Sequence, residues 1–508
     1  MPVTSGAPVR VQAGGAQAGG ARALLLVLAL AAILRLGVAL LPGFHHPDAI
    51  YQYLEPAHRL LTGDGLTTWE WRVGMRSWLL PTLLAVPMAI GGALAPAGDL
   101  DLLLPRFAVA AASLAIVWAA WSLGRRVDQR TGILAGFVAA IWFELVAFGV
   151  QTLAEPVATA AFLPAAALVA ADRPSRRTLV SAGALLALTT LLRPHYAPAC
   201  VALVLAARWR DLRVTLPALF CGAIAVAVAS AAIDVAHHAV PFRWAIENIR
   251  QNIVEHRADR YGIAPRLAFV AWYMTMWRWW TIPLLIGVRA GWRHAPALTI
   301  AALVDLALHS LIGHKEYRFV YLTTCALVIV AAIGWGALLR AAANRLSPAR
   351  RRWATCAVFA GWTVASLTLA TDATTAALRR EGRAGSILFA AIRHDPAACG
   401  VAIVEDATFA DVPGRAALRP DIALAIFAAH DPAYGAAGMR GALARWAPAT
   451  DRIVTTPRFA AILPPGYVPR TCEPWESGRL CLFARTGTCI AAPGSPFAAN
   501  TALRRLNF

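Results

Sequence analysis

Long apolar runs recur between residues 23 and 371, and short arginine clusters separate them. A bilayer core takes about 20 apolar residues in helical form, so this pattern predicts membrane-spanning helices. The composition agrees, because 58% of the residues are hydrophobic and 15% are charged, whereas soluble domains are about 25% charged. The same balance excludes a disordered chain. We expect a polytopic α-helical membrane protein.

The positive charges predict how these helices are oriented. The formal net charge is +19, which by itself is also typical of nucleic-acid binding. The basic residues lie in short clusters between apolar runs, as in cytoplasmic loops, so we expect no nucleic-acid partner. This alternation predicts eleven crossings. They are 23–42, 106–123, 132–149, 157–171, 179–192, 196–207, 214–233, 267–288, 295–312, 319–339 and 353–371.

Residues 79–97 are apolar but contain Pro81, Pro87 and Pro96. The loop that follows, 98–105, holds two aspartates and no basic residue, so it lacks the charge of a cytoplasmic loop. We therefore expect 79–97 to lie along the outer face or dip into it rather than cross.

Composition divides the chain into three parts. Residues 1–22 are rich in Gly, Ala and Gln and are expected to be a disordered cytoplasmic N-terminus. Residues 23–371 form the membrane domain, with a polar outer loop at 43–78. Residues 372–508 have fewer apolar runs and more Pro and Gly, which predicts a small extracytoplasmic α/β domain.

Local patterns in this C-terminal domain predict a few elements. Residues 400–404 are typical of a strand, and 436–446 of a short helix. Residues 467–473 and 480–486 form a hairpin around Glu476-Ser477-Gly478.

Four cysteines, Cys399, Cys472, Cys481 and Cys489, lie in the C-terminal domain. An even number in an oxidising compartment predicts two disulfides, for which three connectivities are possible. The hairpin favours Cys472 with Cys481, leaving Cys399 with Cys489. Reduced core cysteines are the main alternative; zinc is a weaker one, because the sequence has no CxxC pair.

The outer loop 43–78 holds more polar and aromatic residues than a connection needs. Acids beside aromatic rings suit sugar binding, since the rings cover apolar sugar faces while the acids bind hydroxyls. An interfacial aromatic belt explains the tryptophans equally well. Within the loop, Ile50, Leu54 and Leu61 share one helical face, which predicts a helix lying flat on the membrane surface. The candidate residues of the loop are Asp48, Glu55, His58, Trp69, Glu70 and Arg76.

A second candidate site lies between two predicted membrane helices, where residues 314–318 read His-Lys-Glu-Tyr-Arg. Its cations suit a lipid phosphate, although snorkelling side chains are a plain alternative. Arg193 and His195, on either side of a helix-breaking proline, form a similar pair. Lys315 is the one lysine in the chain, so either this position requires a compact ammonium group or a single codon survived by chance.

These motifs resemble a known family. The segment 46–71, HPDAIYQYLEPAHRLLTGDGLTTWEW, with MRSWLLP at 75–81, is similar to the first outer loop of glycosyltransferase family 22, the lipid-linked mannosyltransferases of GPI-anchor and N-glycan assembly. HKEYRF resembles that family's HKE-x-RF motif. Two positions depart from the pattern: Ala49 stands where the family has Glu, and Leu80 where it has His.

The resemblance implies a GT-C fold and an inverting transfer of mannose or a related hexose. The donor would be a polyprenyl-phosphate sugar, with no cofactor or metal, and the acceptor a lipid-linked glycan or glycolipid. Asp48 would act as the base. Arg, Lys and His would meet the leaving phosphate, and the site would face outwards from a bacterial inner membrane. The implied substrate-binding residues are Glu55, His58, Trp69, Glu70, Arg76, Arg193, His195, His314, Lys315, Glu316 and Arg318.

Two other functions fit a membrane protein of this kind. A flippase or transporter of lipid-linked glycans is expected to place polar residues at the midplane and to show inverted repeats. Here the polar residues gather at one face, which favours an enzyme. A ligase that moves a whole glycan would still need Asp48.

Overall fold

The computed structural model describes residues 11–44, 46–96, 98–343, 345–405, 411–475, 478–490, 492 and 494–508. A helical membrane domain is followed by a small domain built on a sheet. The helices of the first half of the membrane domain are α1 (Val11–Ala39), α2 (Glu55–Thr62), α3 (Trp69–Arg72), α4 (Leu79–Leu94), α5 (Leu100–Gly124), α6 (Gln129–Ile141), α7 (Phe143–Phe148), α8 (Ala154–Val169) and α9 (Arg176–Leu192). Those of the second half are α10 (Ala197–Arg208), α11 (Leu212–Ala236), α12 (Arg243–Ile249), α13 (Ala268–Trp277), α14 (Thr281–Gly291), α15 (Pro296–Leu311), α16 (Tyr321–Ala342) and α17 (Pro348–Thr371).

Among the described residues, five helical stretches are long and apolar enough to cross a membrane. They are Gly19–Ala39, Leu100–Gly124, Leu212–Ala236, Tyr317–Ala342 and Pro348–Thr371. Each coincides with a predicted crossing. The other predicted crossings correspond to shorter or interrupted helices. The predicted number of eleven crossings therefore stays a prediction.

Two predicted helices are interrupted. The segment 132–149 breaks at Trp142, and the carbonyl groups of Ala139 and Ala140 accept hydrogen bonds from the buried Arg35 at 3.1 Å. Arg35 also donates to Ser113 at 2.8 Å. A cation in an apolar helix is costly unless polar groups surround it, and the helix break supplies those groups.

The segment 267–288 breaks at Arg278, whose φ of 51° is incompatible with a continuing helix. The Arg278 guanidinium bonds the carboxylate of Asp372 at 3.1 Å, at the start of the C-terminal part of the chain. The helix therefore divides into α13 and α14.

Small residues allow the membrane helices to pack closely. A Cβ at Gly183 of α9 would lie 1.9 Å from the carbonyl oxygen of Leu219 in α11, and one at Gly222 would lie 1.9 Å from that of Val180. Such contacts between backbones are typical of membrane helix pairs. They hold α9 against α11, and α9 ends just before Arg193.

The arginine-rich loops meet at one end of the helices. Arg126 pairs with Asp172 at 2.6 Å, and Arg340 donates to the carbonyl of Val127 at 2.5 Å. Helix α9 begins in this region and ends at Arg193, seventeen residues or about 26 Å away. The polar loops with the candidate residues therefore lie at the opposite end.

One prediction about local structure is corrected, and another stays untested. Helix α1 begins at Val11, so residues 11–22 are helical rather than disordered; alanine and glutamine are good helix formers, and the apolar run extends their helix. Residues 1–10 lie outside the described residues. Within 79–97, α4 continues through Pro87 and packs beside α5, and the prediction that it does not cross is untested.

The C-terminal domain is a mixed five-stranded sheet with helices beside it, as predicted. Its sheet order is β2-β1-β3-β5-β4, with β1 parallel to β2 and β3, and β5 antiparallel to β3 and β4. The strands are β1 (Gly400–Glu405), β2 (Ala423–Ala428), β3 (Arg452–Thr455), β4 (Val468–Trp475) and β5 (Gly478–Ala484). The helices are α18 (Ala373–Arg380), α19 (Arg383–His394), α20 (Gly438–Trp446) and α21 (Ala499–Arg505).

The predicted strand at 400–404, the helix near 436–446 and the hairpin are confirmed, although Glu476 and Ser477 lie outside the described residues. Both predicted disulfides are present, Cys472–Cys481 across the hairpin and Cys399–Cys489. Strands β2 and β3 were not predicted, because short apolar runs do not distinguish a strand from a helix.

The middle of the outer loop, residues 55–67, holds the C-terminal domain, and we name it the docking segment. Glu55 accepts hydrogen bonds from the backbone N–H groups of Leu66 at 2.6 Å and Ala416 at 2.8 Å. Asp64 pairs with Arg415 at 2.5 Å. The prediction that 50–61 lies on the membrane surface is wrong, because Ile50 and Leu54 are buried inside the protein, where this stretch packs on α4 and touches the C-terminal domain; Leu61 is exposed.

Candidate active site

A cavity of about 480 Å³ opens where the outer loop meets the loops after α9 and α15. Its wall brings together residues from separate parts of the sequence, most of them predicted site residues. The predicted residues that line it are Asp48, Trp69, Glu70, Arg76, Arg193, His195, His314, Lys315, Glu316 and Arg318.

Arg318 is the electrostatic centre of this wall. Its guanidinium bonds three carboxylates: Asp48 at 2.7 Å, Glu155 at 3.0 Å and Glu316 at 2.5 Å. The side chain is 4% exposed, so these bonds replace its lost water. A planar guanidinium with five N–H groups can serve several carboxylates in fixed directions. Arg318 thereby fixes Asp48, from the first loop, relative to the loop after α15.

Asp48 is held at the edge of the cavity in its ionised form. Burial favours the neutral acid, but the nearby charge of Arg318, helped by His46 and Arg76, outweighs burial and holds the pKa of Asp48 below its usual value. The side chain is still 21% exposed. A carboxylate that is ionised at neutral pH and open to the cavity can accept a proton from a bound hydroxyl group.

Glu316 links two histidines to this cluster. It lies 3.0 Å from Nε2 of His314 and 3.2 Å from Nε2 of His46. Burial opposes its charge, but Arg318 and the hydrogen bond from His314 together hold the pKa of Glu316 well below its usual range. The bond to Glu316 in turn raises the pKa of His314. Glu316 therefore holds His314 and Arg318 in place beside Asp48.

Beside the Arg318 cluster, further side chains present donors to the cavity. Arg193 pairs with Glu155 at 3.3 Å and lies over the Phe319 ring at 4.6 Å. Arg76 faces Glu70 at 3.6 Å. Within the described part of the chain, Nε of Arg193, Nε of Arg76 and Nδ1 of His195 are buried without a hydrogen-bond partner. Buried donors of this kind are normally satisfied, so a ligand with acceptor oxygens fits here.

Aromatic groups from the outer loop and from the loop after α12 close one side of the cavity. Nε1 of Trp69 donates to the hydroxyl of Tyr261 at 2.9 Å, and Arg257 lies over the Trp69 ring at 5.3 Å. Asn248 and Asn252 line the same side. A ring face beside amide groups is the surface that a sugar requires.

Lys315 lines the cavity, but its ammonium group is turned towards the backbone. Nζ donates to the carbonyl of Ala264 at 3.1 Å, to that of Gly313 at 3.5 Å, and at short range to that of Ile312. These carbonyls belong to two separate loops. In this arrangement Lys315 joins the loops, and the predicted contact with the donor's phosphate would require Nζ to leave them.

Two predicted substrate-binding residues lie outside the cavity. Glu55 binds backbone groups of the docking segment and the C-terminal domain, and burial raises its pKa to about 7. Nδ1 of His58 bonds the carbonyl of Asp64 at 2.8 Å. Both predictions of a direct substrate contact conflict with this placement, because the sequence did not reveal that the C-terminal domain covers 55–67.

Several residues at the site were not predicted, and three of them bear on its polar contacts. His46 begins the HPD motif, so the motif itself was the available signal. Glu155 binds Arg193, 38 residues away, and Arg318, 163 residues away, and its own short loop does not show either partner. His309 lies inside the apolar helix α15, where a single histidine is usually a packing residue.

Comparison with known proteins places this geometry in a family. Residues 26–381 match the Alg9-like mannosyltransferase family. GPI mannosyltransferase 3 of Yarrowia lipolytica is 29% identical over 300 residues, or 55% of this chain and 56% of that protein. The Drosophila melanogaster protein of the same name is 27% identical over 61% of this chain and 56% of its own length. The chain thus spans about half the length of these relatives.

The fold also has a solved counterpart. The crystal structure of ArnT from Cupriavidus metallidurans bound to undecaprenyl phosphate superposes with a TM-score of 0.58 at 14% identity, covering 92% of this chain and 99% of that chain. At this identity the likeness shows the GT-C fold alone. From the match over most of the membrane domain, the chain belongs to the Alg9-like mannosyltransferase family.

Proposed function

We propose that this protein transfers mannose, or a related hexose, from a polyprenyl-phosphate sugar to a lipid-linked glycan or glycolipid. The observation that carries the proposal is the cavity-facing Asp48 carboxylate, which Arg318 holds in its ionised form. Family membership supports the reaction class. Arg193, Arg76 and His195, which line the same cavity as Asp48, offer unpartnered nitrogen atoms of the type that phosphate oxygens bind.

In this mechanism Asp48 accepts the proton of the acceptor hydroxyl as its oxygen attacks the anomeric carbon. The bond from that carbon to the phosphate oxygen breaks, and its electron pair leaves with the polyprenyl phosphate. The transition state has oxocarbenium character. Attack and departure on opposite faces invert the configuration. Arg193 and the neighbouring donors stabilise the charge that grows on the leaving phosphate.

The proposed orientation places this site on the extracytoplasmic side of the cell membrane. The two disulfides in the C-terminal domain support an oxidising compartment. The arginine-rich loops at the opposite end support a cytoplasmic position for that end. A C-terminal alkaline phosphatase fusion should be active, and a GFP fusion dark; the reverse pattern would contradict this orientation. A bacterial inner membrane remains our proposal for the location.

The test is a transfer assay with purified protein in lipid vesicles. Radiolabelled mannosyl-phosphoprenol is compared with glucosyl, galactosyl and arabinosyl donors, and the labelled acceptor is identified. Asp48→Asn keeps the shape but removes the base, so turnover should fall by about 10² or more. Asp172→Asn, at a side chain that is 91% exposed on the arginine-rich end, is the control. Movement of lipid across the bilayer without transfer of label would favour a flippase.

A further inference from the structure

A second cavity, of about 400 Å³, adjoins the candidate active site between α10 and α15. Its wall is mainly apolar and includes Pro198, Leu308 and Leu311. Leu311 is 68% exposed, as expected for a side chain that faces lipid. The two cavities share five lining residues, His195, Asn252, Ile253, His309 and Ile312, and these stand at the boundary between the charged space and the mainly apolar one.

His309 is presented to this boundary in a fixed orientation. Its Nδ1 lies 3.1 Å from Oδ1 of Asp305 and 3.0 Å from the carbonyl oxygen of the same residue, one helical turn earlier. Asp305 accepts a hydrogen bond from Thr323 of α16 at 2.7 Å, which holds its carboxylate. Because both neighbours of Nδ1 are acceptors, Nδ1 holds a hydrogen and Nε2 is the atom left for the cavities.

Nε2 of His309 is buried without a hydrogen-bond partner among the described residues, and the whole side chain is 2% exposed. The ring is surrounded by His195 at 5.9 Å, Tyr196 at 5.9 Å and Phe319 at 6.3 Å between centroids. None of these contacts satisfies Nε2. A buried polar nitrogen normally has a hydrogen-bond partner. Nε2 of His309 therefore requires a ligand atom or a water molecule in the adjoining cavities.

We infer that His309, oriented by Asp305, binds the phosphate group of the polyprenyl-phosphate substrate at the junction of the two cavities. This inference rests on the proposed function. The sugar would occupy the charged cavity beside Asp48, and the polyprenyl chain the apolar one. Only the phosphate of such a molecule lies at the boundary between its polar and apolar parts.

The electrostatics fit this assignment. In the form that has a hydrogen on both ring nitrogens, His309 donates from Nδ1 to Asp305 and from Nε2 to a phosphate oxygen. Asp305 thus acts as a positioning residue, and the Arg193 guanidinium supplies a second cation nearby in the wall.

The experiment measures the binding of farnesyl phosphate, and of farnesol as its uncharged counterpart, to the full chain in nanodiscs. His309→Ala should weaken farnesyl phosphate binding by about 10- to 100-fold and leave farnesol binding unchanged. His309→Gln keeps an N–H group near the position of Nε2 and should recover much of the affinity. Asp305→Asn should weaken phosphate binding by about tenfold. Ser310→Ala, on the same helix outside both cavities, is the matched control.

Each result decides a separate point. Unchanged farnesyl phosphate binding in a folded His309→Ala protein would overturn the inference, as would an equal loss of farnesol, which indicates general damage to the groove. If the wild type binds farnesyl phosphate through His309 but transfers no sugar, the inference holds and the proposed function fails. If sugar transfer proceeds and His309→Ala binds normally, only the inference fails. A wild type without affinity for farnesyl phosphate contradicts both.

Discussion

The outer loop 43–78 contains two parts that look alike in sequence and differ in what they contact. The cavity segments, residues 46–52 and 68–76, present Asp48, Trp69 and Arg76 to the candidate active site. The docking segment between them directs Glu55 and Asp64 to the C-terminal domain instead. A dense family motif therefore does not identify every polar residue in it as a substrate ligand, since part of the motif holds the domain that covers the loop.

The largest expected effect belongs to Arg318, which joins the cavity segments to the loop after α15. Arg318→Lys replaces a guanidinium group that bonds three carboxylates with a single ammonium group. Breaking a buried ion pair costs about 3–5 kcal/mol, so we expect transfer to fall by at least 10². The assay is sugar transfer at saturating donor.

Arg350→Lys, at an exposed position on the arginine-rich end, is the control for Arg318. We expect it to be nearly silent. Equal activities of the Arg318 and Arg350 variants would show that the geometry of the three carboxylates is unimportant.

The cavity segments and the docking segment also show how much of the site could be predicted from the sequence. The resemblance brought Asp48 and Arg318 into one site although 270 residues separate them. It did so because the family's motifs are tied to a known arrangement, whereas spacing alone left an aromatic belt equally acceptable. Glu155 escaped the prediction because its partners lie far away in the chain.

The stretch 50–61 was misjudged for a physical reason. Ile50 and Leu54 form an apolar face, and a membrane surface and a protein domain cover such a face equally well. Nothing in the sequence of residues 50–61 shows whether a membrane or another part of the protein covers this face. The C-terminal disulfides, in contrast, followed from one hairpin, since pairing its two strands places Cys472 beside Cys481 and leaves one further pair.

The docking segment should respond to pH in a way that the cavity segments do not. Burial raises the pKa of Glu55 to about 7, above the ordinary value of 4.5. The folded state therefore holds this proton more tightly, and the stability it contributes is present below pH 4.5 and lost as the pH rises through about 7. The loss is at most about 3 kcal/mol.

Thermal melting of the wild type and of Glu55→Gln between pH 5 and pH 8 measures this effect. The difference between the two melting temperatures should change with pH, because the Gln side chain does not titrate. If the difference between the melting temperatures stays constant over this range, protonation of Glu55 does not contribute to stability as we expect. Asp172→Asn again serves as the control, since its exposed carboxylate has no part in the docking contact.

The domain held by the docking segment should depend unequally on its two disulfides. Cys399–Cys489 closes a separation of 90 residues, and Cys472–Cys481 one of 9. In the chain-entropy account the longer loop contributes about 4–5 kcal/mol and the shorter about 2–3 kcal/mol. We expect the double serine variant of the first pair to be the less stable by about 2 kcal/mol.

Limited proteolysis of the full chain in vesicles ranks the two disulfide variants. Loss of the longer bridge should expose cleavage sites in 411–475 first. A hairpin variant that is cleaved faster would reverse the ranking, and four free thiols in the denatured wild type would refute the bonding altogether.

The smallest effect is expected at Lys315. Its ammonium group meets carbonyls from two loops that converge on one point, and a planar guanidinium fits such a point poorly. Lys315→Arg should raise the KM for the donor by about tenfold and change kcat less. Wild-type KM in this variant would reduce the site to a generic positive charge.

The most direct test of the division within the loop compares Asp48→Asn with Glu55→Gln in one reconstituted preparation. The measured quantity is the rate of sugar transfer in a single turnover, with folding checked by thermal melting. We predict a fall of about 10² or more for Asp48→Asn and of less than about tenfold for Glu55→Gln, whose carboxyl group faces backbone rather than substrate. Near-normal transfer by Asp48→Asn together with a large loss in Glu55→Gln would contradict the account and assign the base to Glu55.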